Sequence, residues 1–295
     1  EKDVLRGSVD GYSVLADVVP LNNDSETIQA IATEIQLLRD ARLYGPSSYF
    51  AYRLGVLGSL VSNVITPYGF AWTPEEREVQ RKMFRDIDEE LENYGFKPTR
   101  KYLIFVRDVD DYFKKQRGFY EDDKRLIADD YARGRGFDGF LSEGGRAYFE
   151  RCIEATADIW HTVLRPEPDA AQVQASKQLL TWYFVKEIEY LLNVKDNLHQ
   201  ANQIYQNFEK VNPGIARAYE TLGDHYYAHG LDRDSEEALE RGVREWIRAH
   251  SMGGPERNRV AEKLCAHYLK EGDYFKVRAQ RPGSDDNDLP SALAA

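Results

Sequence analysis

An all-α fold is what this chain predicts, on three observations. Apolar residues recur three and four apart through most of its 295 residues, which is the repeat of a single helix face. Helix-start sequences stand ahead of several of these stretches, as at Asp24-Ser25-Glu26 and Thr73-Pro74-Glu75-Glu76. The breaks carry Gly and Pro, as at Tyr44-Gly45-Pro46 and Arg165-Pro166-Glu167-Pro168-Asp169, and these residues end helices instead of continuing them.

Taken in order, the first two dozen residues, with Gly7, Gly11, Pro20 and Asn22-Asn23, read as irregular. Asp24 or Ser25 then caps a helix whose buried face is Ile28, Ile31, Ile35 and Leu38. A second helix, from Ser47 or Ser48 to about Ile65, is apolar on most faces and should be central to the core. A third starts at Thr73-Pro74, with Thr as cap, Pro at the first helical position and acids on the positive end of the dipole. It should run to about Tyr94 and stop at Gly95. Residues 99–117 read as a helix, although Tyr102-Leu103-Ile104-Phe105-Val106 has strand-like composition. A short helix from Asp122 to Ala132 and a long one from Gly145 or Arg146 to Leu164 follow, the last ending before Pro166.

Composition narrows function by exclusion. A formal charge of −11 and a pI near 5.2 argue against a general nucleic-acid binder, whose phosphate-tracking surface needs clustered Lys and Arg. The 19 Tyr and 4 Trp are amphipathic rings suited to packing between helices. Cys152 and Cys265 each lie in an amphipathic helical pattern and suit small buried hydrophobes, which favours two thiols over a disulfide. No apolar run reaches the roughly 18 residues of a membrane span, so no transmembrane segment is expected.

Between Tyr52 and Gly69 the chain reads YRLGVLGSLVSNVITPYG, with Ser59, Asn63, Pro67 and Gly69 at fixed offsets behind the Leu54-Gly55 pair. This register resembles the bacterial zinc-dependent phospholipase C and P1/S1 nuclease superfamily, in which a Leu-Gly helix runs into His-x3-Asp-x3-Pro-x-His and those His and Asp residues hold zinc. Here Leu54-Gly55 and Pro67 match, while Ser59, Asn63 and Gly69 stand at the ligand positions. The helix AYFERCIEATADIWHTVL also resembles the superfamily's closing helix, so the likeness spans about residues 25–165. It implies a degenerate helical domain over 1–165 and, since relatives are commonly secreted, an exported or periplasmic protein; the sequence itself leaves the compartment open. The start at Glu1 without Met fits a removed leader or a trimmed chain.

Beyond the Pro-rich linker the pattern changes. Ala201, Tyr205, Phe208 and Pro213, then Leu222, Gly223 and Tyr226, then Leu264, Cys265, Tyr268 and Gly272 follow the phase of a tetratricopeptide repeat, with a period of about 34 residues. Gly223 would let two helices cross closely. The stretch AHGLDRDSEEALE has about three more residues in its loop than the tetratricopeptide pattern allows. The expectation is a short tetratricopeptide-like hairpin array over 170–280 and a polar tail over 281–295.

Catalytic chemistry has little to work with. All six His lie at or after position 161, so the superfamily's zinc site cannot be assembled from the region resembling it, and the register puts Lys82 where a ligand would stand. Asp108, Asp110 and Asp111, or Glu121, Asp122 and Asp123, offer hard oxygen ligands without an EF-hand's spacing; solvated faces explain them more simply. His225 and His229 share a helix face, but DHYYAH lacks the Glu of a metalloprotease helix. No nucleophile elbow occurs, and Gly134-Arg135-Gly136-Phe137-Asp138-Gly139 follows no strand, so it is no dinucleotide loop. The expected function is therefore a non-catalytic binding or scaffold protein with no metal and no cofactor, holding a protein or peptide partner on the repeat face through Tyr219, Asp224, His225, Tyr226 and His229. The rivals are a phosphoester hydrolase with an oxygen-liganded metal and an oligomeric envelope component.

Overall fold

The computed structural model describes residues 1–11, 21–90, 100–165, 175–212 and 214–279, and every regular element among them is helical. The chain divides into two compact units, Glu1–Ala175 and Ser176–Ala295. The Pro-rich linker at 166–169, the predicted helix end at Tyr94-Gly95, Pro213 and the tail 281–295 fall outside the described residues.

The first unit contains α1 (Lys2–Asp10), α2 (Asp24–Ala41), α3 (Ser48–Ile65), α4 (Pro74–Glu90), α5 (Val109–Gln116), α6 (Tyr120–Ala132) and α7 (Phe140–Leu164). Local chemistry sets most starts. Asn23, not Asp24 or Ser25, caps α2 by accepting the Glu26 N–H, and the Glu26 carboxylate accepts the Asn22 N–H one residue before the cap, a variant of the capping box. Ser47 caps α3, and at α4 Thr73 accepts the Glu76 N–H while the Glu76 carboxylate accepts the N–H groups of Thr73 and Trp72, a full capping box. Helix α3 is the hub: Val56, Leu57, Leu60, Val61, Val64 and Ile65 are all fully buried, and its polar Arg53 is held by Glu34 of α2, 2.8 Å from Nε, with the Tyr49 hydroxyl at 2.9 Å. A buried guanidinium survives in such a place only when its donors are filled.

Two expectations are corrected here. Within the first two dozen residues, Lys2–Asp10 is not irregular but forms α1, which lies backbone to backbone on α3, while 12–20 fall outside the described residues. A Cβ on Gly7 would fall 1.9 Å from the Tyr52 carbonyl oxygen, and one on Gly55 would fall 2.0 Å from that of Val4. A nine-residue helix is marginal alone, so this glycine contact is what keeps it. Residues 100–107 are not helical and carry no regular structure, and α5 begins only at Val109 behind its cap Asp108. Three α7 side chains spaced along one face take the place of a neighbouring strand: Glu154, Asp158 and Thr162 accept the backbone N–H groups of Arg100, Ile104 and Val106 at 2.8, 2.8 and 2.9 Å. Asp158, fully buried, also accepts the Tyr112 hydroxyl at 2.8 Å and pairs with Arg100 at 2.6 Å.

The second unit is a run of helical hairpins: α8 (Lys177–Asn193), α9 (Leu198–Val211), α10 (Ala216–Arg233), α11 (Glu236–Met252) and α12 (Arg257–Ala279). Helix α8 packs on α9 and α10, and α11 on α10 and α12. The first helices begin at Lys177, Ala216 and Arg257, a step of about 40 residues where the expected repeat has about 34. The predicted extra loop is absent, because α10 continues to Arg233 and only Asp234 and Ser235 turn the chain into α11. Gly223 does allow a close crossing: its Cβ would lie 2.9 Å from the Gly242 carbonyl oxygen and 2.3 Å from the Trp246 ring.

Candidate functional site

The three positions singled out by the resemblance, Ser59, Asn63 and Gly69, end up in different roles. Ser59 faces the N-terminal chain, its Oγ 2.8 Å from where a Cβ on Gly11 would stand. Gly69 folds back onto α3, where a Cβ would meet the Asn63 carbonyl oxygen at 2.1 Å, so no side chain fits there. The turn between them is fixed by its backbone. Tyr68 takes φ 59, uncommon without glycine, the Gly69 N–H donates to Thr66 O at 2.8 Å, and the Gln80 amide donates to the carbonyls of Tyr68 and Gly69 at 2.7 and 2.9 Å. The Pro67-x-Gly69 element thus builds a tight turn.

Asn63 lines a cavity. A cleft of about 610 Å³ lies between α3, α4 and α7. Phe84 and Ile87 of α4 and Phe149, Ile153, Ala157 and Trp160 of α7 form apolar walls, and Ser62, Asn63, Thr66 and Thr156 a polar strip. Much of that strip is satisfied internally: Thr66 Oγ1 donates to Ser62 O at 2.9 Å and lies 3.3 Å from Cys152 Sγ, and the hydroxyls of Ser62 and Thr156 are 3.5 Å apart. The Trp160 indole is pinned by its N–H to the Leu54 carbonyl at 2.9 Å. Burial pushes the Cys152 thiol above its usual value, which keeps it protonated and poorly nucleophilic. Asp88 is the one charged residue in the described lining. The cleft can hold an apolar body.

The acidic runs serve structure. Asp108 caps α5, Asp111 pairs with Lys115 at 2.6 Å, and Asp123 accepts the Tyr148 hydroxyl. Asp110 lies in the first turn of α5, and Glu121 and Asp122 in that of α6, where the helix dipole favours acids. Lys82 pairs with Glu78 at 3.2 Å. Among the described residues no three His, Cys, Asp or Glu side chains gather as a metal-binding group.

In the second unit, Tyr219 and Tyr226 are core residues, 4% and 0% exposed, which removes them from a partner-facing surface. Tyr219 meets Phe208 edge-on at 5.2 Å with Arg248 over its ring at 4.5 Å. His225 and His229 point to different carboxylates, Glu189 at 3.4 Å and Asp196 at 3.8 Å, so this face packs toward α8 and its following turn. Burial lowers the pKa of His225, with Glu189 opposing. Asp224, partly exposed, accepts the Trp246 indole N–H at 2.9 Å and pairs with Lys263 at 2.6 Å. Cys152 is buried as expected, but Cys265 is exposed; both are free thiols.

Sequence reasoning missed the cleft walls on α4 and α7. Phe84 and Ile153 are large apolar residues left 38% and 40% exposed, a signal that periodicity alone absorbs into an ordinary helix face. The fold and site together define an all-helical protein whose first unit carries an open, largely apolar cleft. No protein-family model, no curated protein and no solved structure matches this chain.

Proposed function

We propose that this chain is a non-catalytic binding or scaffold protein, with the cleft between α3, α4 and α7 as its ligand site and the hairpin unit as the platform for a protein or peptide partner. The observation carrying the proposal is the cleft's size and lining: about 610 Å³ with mostly apolar walls, within the usual range for small-molecule sites. The superfamily resemblance adds a reason for its position, since Asn63, at a former ligand position, sits on the cleft wall. A tetratricopeptide-like role for the second unit rests on its hairpin order and the Gly223 crossing. Of the five residues first assigned to a partner, Asp224 and His225 keep partial exposure, 44% and 20%.

Titration with N-phenyl-1-naphthylamine, an uncharged dye that brightens in apolar sites, tests this. Saturable enhancement is expected, with loss in Ala157→Trp, where an indole fills the cleft. Equal enhancement in the variant overturns the assignment, as does chelator-sensitive turnover of a phosphodiester reporter with zinc, manganese or calcium.

A further inference from the structure

The charge pattern of the cleft selects among apolar ligands, and this inference rests on the ligand-site reading above. Its described lining contains no Lys, Arg or His, and its only charge is the exposed carboxylate of Asp88 on α4. The nearby bases are engaged elsewhere. Arg85 turns to Asp86 at 3.2 Å and Lys82 to Glu78 at 3.2 Å on the same helix. On α7, Arg146 pairs with Glu150 at 3.1 Å, and Arg151 donates to the Gln116 carbonyl at 3.2 Å while lying over the Tyr148 ring. Asp88 thus forms no ion pair among the described residues.

The walls present three aromatic rings, Phe84, Phe149 and Trp160, whose negative faces attract cations. A carboxylate at the rim and ring faces along the wall favour the same sign of charge. An anionic head would meet both as repulsion, with no guanidinium or ammonium in the described lining to offset it.

We infer that the occupant of this cleft is an amphiphile with an apolar body and a single positive charge, its body along Ile87, Ile153 and Ala157 and its head between Asp88 and the aromatic rings. This differs from the phosphoester substrates that the superfamily resemblance implies, which are anionic.

Isothermal titration with three single-chain probes of equal tail length, each kept below its micelle concentration, tests the inference: decyltrimethylammonium, uncharged decyl maltoside and decyl sulfate. An exposed ion pair and a cation–ring contact together should make the ammonium bind about tenfold more tightly than the maltoside, with the sulfate weakest. Asp88→Asn should weaken the ammonium about threefold and leave the maltoside unchanged. Ala157→Trp should abolish all three, and Ile153→Gln, at a position 40% exposed, gives the same readout should the larger substitution misfold. Sulfate or maltoside binding as tight as the ammonium, or an ammonium affinity indifferent to Asp88→Asn, overturns the inference and leaves the ligand site standing. No binding by any probe overturns both.

Discussion

Replacing Glu220 with Gln removes a carboxylate that, together with Asp224, ties α10 to α12. The Glu220 side chain is 4% exposed and receives Arg259 Nε at 2.6 Å, a second Arg259 nitrogen, and Lys263 Nζ at 2.8 Å. These hydrogen bonds, that from Arg259 foremost, pull its pKa down to about 2 against a burial effect that opposes them. At roughly 1.4 kcal/mol per pH unit, the displacement from an ordinary Glu sets a ceiling of about 3 kcal/mol. Arg259 is 57% and Lys263 27% exposed, so solvent screening brings the expectation to about 1–2 kcal/mol. Because the folded-state pKa is depressed, this stabilisation is present above the unfolded value near 4.5 and is lost as pH falls toward 2. Urea unfolding of wild type and Glu220→Gln, followed by fluorescence in a Trp72→Phe/Trp160→Phe background that leaves the second unit's tryptophans, should show the variant weaker at pH 7 and the gap closing between about pH 4.5 and 2. Equal stability at pH 7, or a gap that does not change with pH, would refute the reasoning.

Other outcomes follow from the first unit's contacts. Gly55→Ala should cost about 3 kcal/mol and release α1, because the new methyl meets the Val4 carbonyl, which cannot rotate away; a melting temperature equal to wild type would contradict the crossing. Asp158→Ala should raise amide exchange at Ile104, whose N–H Asp158 accepts, well before α7 itself opens, and uniform protection would count against the side-chain ladder. Cys265 should react with a thiol reagent in the native protein while Cys152 reacts only on unfolding, since one is exposed and the other buried with a raised pKa; simultaneous labelling would show the cleft floor to be open.

Much of the helical order is legible in the sequence because its causes are local. Ser47, Thr73-Pro74 and Glu76 satisfy orphan N–H groups within a turn of themselves, so α3 and α4 start where those residues say they should. The apolar density of 54–65 likewise marks α3 as the hub before any neighbour is known. What stayed hidden depends on partners distant in the chain. Residues 100–107 stay out of a helix where Glu154, Asp158 and Thr162, more than fifty positions later, accept the N–H groups of Arg100, Ile104 and Val106. Helix α1 exists because Gly7 and Gly55 let two backbones touch. The candidate site divides the same way: the resemblance singled out Ser59, Asn63 and Gly69, but only the packing around α3 left Asn63 lining a cleft, set Ser59 against Gly11 and folded Gly69 onto the Asn63 carbonyl. In the second unit, periodicity placed Tyr219 and Tyr226 on a helix, and only the neighbouring helices decided that this face is core. Capping and helix-face periodicity act within about one turn and so are written in the sequence, whereas burial, cavity shape and close helix crossings belong to pairs of surfaces that meet only when the chain has folded.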